Sequence, residues 1–183
     1  MAATIFMIRH GQSHWQKGTD RSHNAELSPL GHNQCRYLPA AKIKGDVVLS
    51  SPLRRACQTV QYLGGAELSP VEICEALREA EFHIGSEDGT RSNRPLTERY
   101  LTYLRGIHDT MKWLEDKYLG AGWSVVAVTH NGFIKCLLRT VLNAPDLEIK
   151  VANCSVTSLQ WNGTWDVMEI GTHTHVPPNL LTY

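Results

Sequence analysis

The chain has no excess charge of either sign. Its 183 residues carry 18 lysines and arginines against 18 aspartates and glutamates, a formal net charge of zero. General nucleic-acid or membrane-surface binding needs a clear basic excess, so neither is expected. No apolar stretch is long enough to cross a bilayer. The first apolar run spans only a few residues and lacks a basic leader, so no secretory signal is expected. Cysteine is scarce and poorly spaced for cross-linking: five residues, at 35, 57, 74, 136 and 154, with no C-x-x-C. An odd count without that motif argues against a disulfide framework and a zinc ribbon. Reduced, partly buried thiols and a cytoplasmic location are expected instead. The N-x-S/T matches at Asn153 and Asn162 then count as chance. Neither a Walker A loop nor G-x-G-x-x-G occurs, so a nucleotide cofactor has no motif to support it. Internal repeats, low-complexity tracts and linker-like segments are also missing.

What remains is ordinary soluble-protein material, 42% apolar and 20% charged, enough for one domain over 1–183 with a real core. Four β-type runs alternate with helical patterns: Thr4–Ile8, Asp46–Ser50, Val71–Cys74 and Ser124–Thr129. Ser28-Pro29 reads as an N-cap with proline at the first helical position, opening a helix to about Lys42, and Ser51-Pro52 repeats the signal for a helix to about Leu63. Leu101, Leu104, Ile107, Met111, Leu114 and Tyr118 recur at three- and four-residue spacing. They mark a long amphipathic helix ending at Gly120, weakened at Gly106. Near the end, "SVTSLQW" and "TWDVMEI" flank Asn162-Gly163, a hairpin signal. Buried strands alternating with helices predict an α/β three-layer sandwich: a mostly parallel central sheet, helices on both faces, and one antiparallel strand from the C-terminal hairpin.

In such sheets ligands bind beyond the carboxyl ends of the strands. The first strand is followed by Arg9-His10-Gly11, the second by Ser50-Ser51-Pro52-Leu53-Arg54-Arg55, the fourth by His130-Asn131-Gly132. Three strand ends thus bring histidines and arginines to one edge with no carboxylate in the same turns. Such a cluster repels itself unless an anion sits in it, and guanidinium forks, imidazole N–H groups and helix N-termini suit phosphate oxygens. A single histidine after a strand is more often merely packed or solvated; the coincidence at three ends is what carries weight.

These segments resemble the histidine phosphatase superfamily, the phosphoglycerate mutase-like proteins. The resemblance rests on "RHGQS" at 9–13, "SSPLRRACQT" at 50–59, "LREAEF" at 77–82 and "VTHNG" at 128–132. "AELSPLGHNQ" at 25–34 and "NCSVTSL" at 153–159 are similar to further landmarks. The pieces span nearly the whole chain in the family's order, and "THNG" resembles the mutase and small-phosphatase branch. The resemblance implies that His10 is a nucleophile forming phosphohistidine, with Arg9, Arg55 and His130 holding the phosphoryl group. Physical chemistry agrees: nearby guanidiniums favour the neutral, nucleophilic imidazole and then stabilise the transferring phosphoryl charge. Arg54 is read as exposed or at most on the rim.

A leaving alkoxide needs a proton, and "LREAEF" offers two carboxyls; the family's L-x-E pattern puts Glu79 ahead of Glu81 as the donor, and afterwards as the base that activates water. Gln16 stands where relatives commonly carry asparagine. It is the remaining phosphate-binding candidate, with the backbone of Gln12 or Ser13 as its substitutes. His10 and His14 have the i, i+4 spacing of a helical zinc pair, but Gly11 and the strand-to-loop position argue against a helix there. His173 and His175 read as surface residues. No metal and no cofactor are therefore expected.

The segment after Glu79 is short, about 20 residues before the long helix, where mutases of the family carry a longer, more basic insertion. That favours hydrolysis of a small phosphate ester over phosphoglycerate mutase-type transfer. Arg91 and Arg94 read as exposed loop charges, or else as a grip on an acidic substrate. The alternative from another class is a silent module binding phosphorylated ligands or partners, disfavoured by a pocket that repels itself when empty.

Overall fold

The computed structural model describes residues 2–64, 71–79 and 96–183. At its centre stands β1 (Ala3–Arg9), a continuous apolar strand because both of its faces are covered. Ala3, Ile5 and Met7 point into one core cluster and Phe6 and Ile8 into another. β2 (Val47–Ser50) and β4 (Val125–Thr129) are buried at every position for the same reason. With β3 (Val71–Ile73), β5 (Val156–Trp161) and β6 (Trp165–Thr172) they form one sheet in the order β3-β2-β4-β1-β5-β6. The first four are mutually parallel, and β5 pairs antiparallel with both β1 and β6. One strand of the six therefore runs against the rest, as expected of the hairpin. Its turn is made at Asn162-Gly163, where Gly163 takes φ +107°.

Two layers cover the sheet. One holds α4 (Leu96–Lys117) and α5 (Asn131–Val141), which bury Ile107, Met111, Leu114, Phe133, Ile134 and Leu137. The other holds α2 (Pro29–Cys35) and α3 (Arg54–Val60), with Leu27, Cys35, Leu38, Ala56 and Val60 packed on Ile8, Val48 and Val128. A short α1 (His14–Lys17) follows the loop after β1; Ser13 caps it, and Gln16 returns the bond in a capping box. No helix among the described residues is long and apolar enough to cross a membrane.

Several element ends differ from the expectation. α2 stops at Cys35 rather than Lys42 and resumes as a 3-10 turn at Leu38–Ala41. Pro39 has no N–H for the Cys35 carbonyl, and its ring would clash with that carbonyl. α3 is capped at Leu53 with no side-chain bond, not at Ser51. The Ser51 hydroxyl accepts only a long bond from the Leu53 N–H, at 3.4 Å, and lies 2.8 Å from His130 Nε2. Past Val60 the same helix tightens into i→i+3 bonds that reach Leu63. In α4 the apolar stripe is buried from Ile107 onward, but Leu101 is 47% exposed. α4 ends at Lys117, and a 3-10 turn at Leu119–Ala121 follows.

Candidate active site

Register sets the site. Arg9 pairs with Thr129 and Ser50 with Val128 across parallel strands, so β1, β4 and β2 end level with one another. The ladder runs one residue further: His10 N–H donates to the Thr129 carbonyl at 3.1 Å, and Ser51 N–H to the Val128 carbonyl at 3.0 Å. His10 and His130 thus leave adjacent strands side by side, with ring centroids 5.0 Å apart. Both rings are buried, 4% and 0% exposed.

His10 is held in one tautomer. Its Nδ1 lies 2.6 Å from the Gly11 carbonyl oxygen, which can only accept, so Nδ1 carries the ring proton. Nε2 therefore keeps its lone pair, which accepts a bond from Arg55 Nε at 3.1 Å. Burial, and then the guanidiniums of Arg55 and Arg9, push the His10 pKa well below its ordinary value. Burial likewise lowers His130, helped by Arg55 and by His10 itself. A neutral imidazole with an available lone pair is the form that attacks phosphorus.

The cations are anchored without being neutralised. Arg55 enters from the first turn of α3 and donates through Nη1 to the His23 carbonyl at 2.8 Å. Arg9 donates through Nη1 to the Val151 carbonyl. Burial brings both guanidiniums down to about 10, and the Glu79 carboxylate works against that shift in each. Arg9 Nε and His130 Nδ1 are buried with no partner among the described residues. When the Ser51 hydroxyl donates to His130 Nε2, the ring proton sits on Nδ1, giving a second unspent donor. Glu79 Oε2 accepts the Gly132 N–H at 3.2 Å at the start of α5. Together Arg9, His10, Ser13, Trp15, Gln16, Arg55, Glu79 and Asn131 line a cleft of about 140 Å³. Unspent buried donors in a cationic cleft with one carboxylate on the wall are a cradle for a tetrahedral oxyanion.

The model of the histidine phosphatase superfamily (branch 1) matches residues 5–92 and 85–171. The chain belongs to that superfamily.

Among its relatives in the histidine phosphatase superfamily is the Bacillus subtilis (strain 168) protein named as the uncharacterized phosphatase PhoE. It is 22% identical, over 94% of this chain and 96% of that one. A glucosyl-3-phosphoglycerate phosphatase of Mycolicibacterium vanbaalenii is 26% identical, over 93% and 84% respectively. The solved structure of Bacillus stearothermophilus YhfR shares the fold with a TM-score of 0.80 at 20% identity, covering 96% of this chain and 100% of that one.

Of the residues expected at a histidine phosphatase site, Arg9, His10, Arg55, His130 and Glu79 meet here. Gln16 lines the cleft, but its amide is largely spent. Oε1 accepts from Ser13 N–H at 3.1 Å and Asn153 Nδ2 at 3.2 Å, and Nε2 donates to Asn153 Oδ1 at 3.0 Å. The backbone substitutes are spent as well: Gln12 N–H goes to Gln34 Oε1 at 2.8 Å and Ser13 N–H to Gln16. Arg54 is exposed and paired with Glu26 at 3.1 Å. His14 opens α1 with its ring on Thr19, so it shares no helix with His10. His173 and His175 are not free surface residues. Both are half-buried, His175 Nε2 lying 2.9 Å from the Cys154 carbonyl and His173 Nδ1 2.7 Å from that of Gly171. Glu81, Arg91 and Arg94 lie outside the described residues. All five cysteines are free thiols, with Cys35 and Cys154 in sulfur contact at 3.5 Å.

Two participants were not read from the sequence. Asn153 is fully buried, which also rules out its N-x-S match as a glycan site in the folded chain, and donates to the His10 carbonyl at 2.8 Å. His23 supplies the carbonyl that anchors Arg55. Neither position belongs to a periodic pattern or a strand end. For Asn153 the available signal was its place at the head of "NCSVTSL".

Proposed function

We propose that this member of the superfamily is a phosphomonoesterase that hydrolyses small phosphorylated substrates through a phosphohistidine on His10. The observation that carries the reading is the fixed tautomer of His10: Nδ1 committed to the Gly11 carbonyl, Nε2 turned toward Arg55. In this mechanism Nε2 attacks phosphorus in line with the leaving oxygen. Arg55 Nε exchanges its bond to Nε2 for one to a phosphoryl oxygen. Arg9 Nε and His130 Nδ1 take further oxygens, so buried donors without partners gain them as charge spreads over the phosphoryl group. Glu79 on the cleft wall takes up a proton from solvent as the phosphate dianion enters, and gives it to the departing alkoxide. The resulting carboxylate then takes a proton from the water that attacks the phosphorus–nitrogen bond and frees inorganic phosphate.

The test is turnover of p-nitrophenyl phosphate in EDTA, with trapping of an acid-labile, base-stable phosphoryl-enzyme. His10→Ala should abolish both. Transfer between 3- and 2-phosphoglycerate without phosphate release would identify a mutase instead. Ligand binding with no phosphoryl-enzyme would identify a binding module. Glu79→Gln should slow alkyl phosphates, whose leaving groups need the proton, about 10²- to 10⁴-fold while sparing aryl phosphates. Equal losses on both would move the donor elsewhere, first to Glu81.

A further inference from the structure

One polar atom in the cleft has no use in the phosphoryl chemistry. Asn131 is the first residue of α5 and lines the cleft; its Oδ1 is buried with no hydrogen-bond partner among the described residues. An amide oxygen only accepts, and so do the oxygens of a phosphate dianion. The bound phosphoryl group therefore cannot satisfy it. Native structures rarely leave a buried acceptor unpaired without a functional reason. The next residue, Gly132, holds Glu79 through its N–H, so the start of α5 positions both the lone acceptor and the candidate proton donor to the leaving oxygen. In the proposed mechanism the leaving group departs on the side of its proton donor Glu79, and Trp15 lines the same cleft.

We propose that Asn131 Oδ1 is the specificity-determining contact of the leaving-group side, accepting a hydrogen bond from a hydroxyl or ammonium group close to the ester oxygen. The preferred substrates are then phosphate monoesters of polyols or amino alcohols rather than of plain alkyl groups. The inference rests on the phosphomonoesterase reading and adds a substrate class to it. Selection arises because an ester lacking the donor leaves Oδ1 buried and unpaired in the complex, the situation in which binding sites discriminate most strongly.

The experiment compares kcat/KM for 2-hydroxyethyl, 2-aminoethyl and ethyl phosphate in the wild type, Asn131→Gly and Asn131→Asp, with p-nitrophenyl phosphate run alongside. The wild type should prefer each donor-bearing ester over ethyl phosphate by about ten-fold. Asn131→Gly should bring that preference to within about two-fold of unity. Asn131→Asp keeps an acceptor in the same place and should retain the 2-aminoethyl preference. Comparing esters within a variant cancels any general loss of active protein, and comparing that ratio between variants cancels the esters' intrinsic reactivity. An equal loss on all three esters in Asn131→Gly would mean that the amide turns Nδ2 to the phosphoryl group, and would overturn the proposal. So would a wild type that does not distinguish the esters while still turning over the aryl phosphate. Failure of the phosphomonoesterase reading shows differently, as no turnover of any ester and no phosphoryl-enzyme, and the proposal falls with it.

Discussion

Asn153→Ala should be among the most damaging single changes in the chain, although this residue has no part in the chemistry. Four hydrogen bonds meet on its fully buried amide. Nδ2 donates to the His10 carbonyl at 2.8 Å and to Gln16 Oε1 at 3.2 Å, while Oδ1 accepts from Gln16 Nε2 at 3.0 Å and Thr182 Oγ1 at 2.8 Å. Truncation strips three partners unequally. The His10 carbonyl is buried, and a buried acceptor left alone costs about 1–3 kcal/mol. Gln16 and Thr182 are half-buried, so water can replace the lost bond and each costs a net hydrogen bond, about 0.5–1.5 kcal/mol. The expected loss is about 3–4 kcal/mol, a large share of the roughly 5–15 kcal/mol that holds a typical domain together.

Urea unfolding followed by tryptophan fluorescence reads it as a lower midpoint at unchanged slope. Because the lost bond anchors the backbone of His10, kcat/KM should fall as well, about ten-fold or more for a displacement of the attacking atom. Asn153→Asp separates the two effects. It keeps acceptors for Gln16 and Thr182 but cannot donate to the His10 carbonyl, so it should recover part of the stability and little of the rate. A double-mutant cycle with Gln16→Ala should give a coupling of about 1 kcal/mol or more. A stability loss below about 1 kcal/mol with kcat/KM unchanged would refute the idea that this amide organises the nucleophile's loop.

Other consequences can be checked in the same assays. His10 and His130 are held neutral in the fold, their pKa values well below the ordinary 6.5, which the unfolded chain retains. Stability should therefore be full above pH 6.5 and fall as the pH drops below it, because the unfolded chain takes up protons that the fold refuses. At up to about 1.4 kcal/mol per pH unit for each ring, about 2–3 kcal/mol should be lost between pH 7.5 and 5.5; a flat urea midpoint over that range would contradict the neutral pair. At Gly31 an added Cβ would lie 2.0 Å from the Gln12 carbonyl oxygen. Gly31→Ala must push the start of α2 away from the His10 loop, costing about 1–3 kcal/mol in unfolding and lowering kcat/KM. At Gly106, in contrast, a Cβ would meet nothing within 4 Å. Gly106→Ala should raise unfolding stability by about 0.5–1 kcal/mol, the helix propensity that glycine forgoes.

The central strands and the cluster at their ends were legible because they follow local rules. "IFMI", "VVLS" and "VVAVT" are continuous β-branched or apolar runs. The chemistry-bearing residues come directly after them, where parallel sheets put ligands. What failed to show depends on distant partners. The helix expected from Ser51 starts later, and the Ser51 hydroxyl has its shorter contact with His130, 79 residues away. Asn153 acts across 143 residues of sequence and shares no period with anything. Gln16 carries the right functional group, but whether that group is free depends on Asn153 and on the capping box of α1, and both occupy it. The early end of α2 is a different case, since Pro39 was there to be read and the helix should have been stopped before it. For α4, spacing identified the buried face but not where along the helix burial begins, because that depends on what packs against its first turns.

How the two guanidiniums are held bears on two things at once: the neutrality of His10, to which they add after burial, and the anion binding proposed for the cleft. Had Arg9 and Arg55 been fixed by carboxylates, each pair would be neutral overall. The field on His10 would then be weak, and a phosphoryl group would have to compete with a bound carboxylate for every donor. Here, among the described residues, their anchors are carbonyls, those of Val151 and His23. A carbonyl orients a guanidinium without cancelling its charge. Glu79 is the carboxylate on the cleft wall, and it bonds to a backbone N–H at the start of α5. Two positive charges against one negative leave the cleft electropositive around uncharged imidazoles. Burial first, and then that surplus, suppress protonation of His10. In the proposed mechanism the same surplus attracts the phosphoryl dianion and steadies the charge moving onto its oxygens. An acidic residue added to the lining of the same cleft, by Ser13→Asp, would remove the surplus. It should raise the His10 pKa and weaken inorganic phosphate inhibition together, because one field is responsible for both.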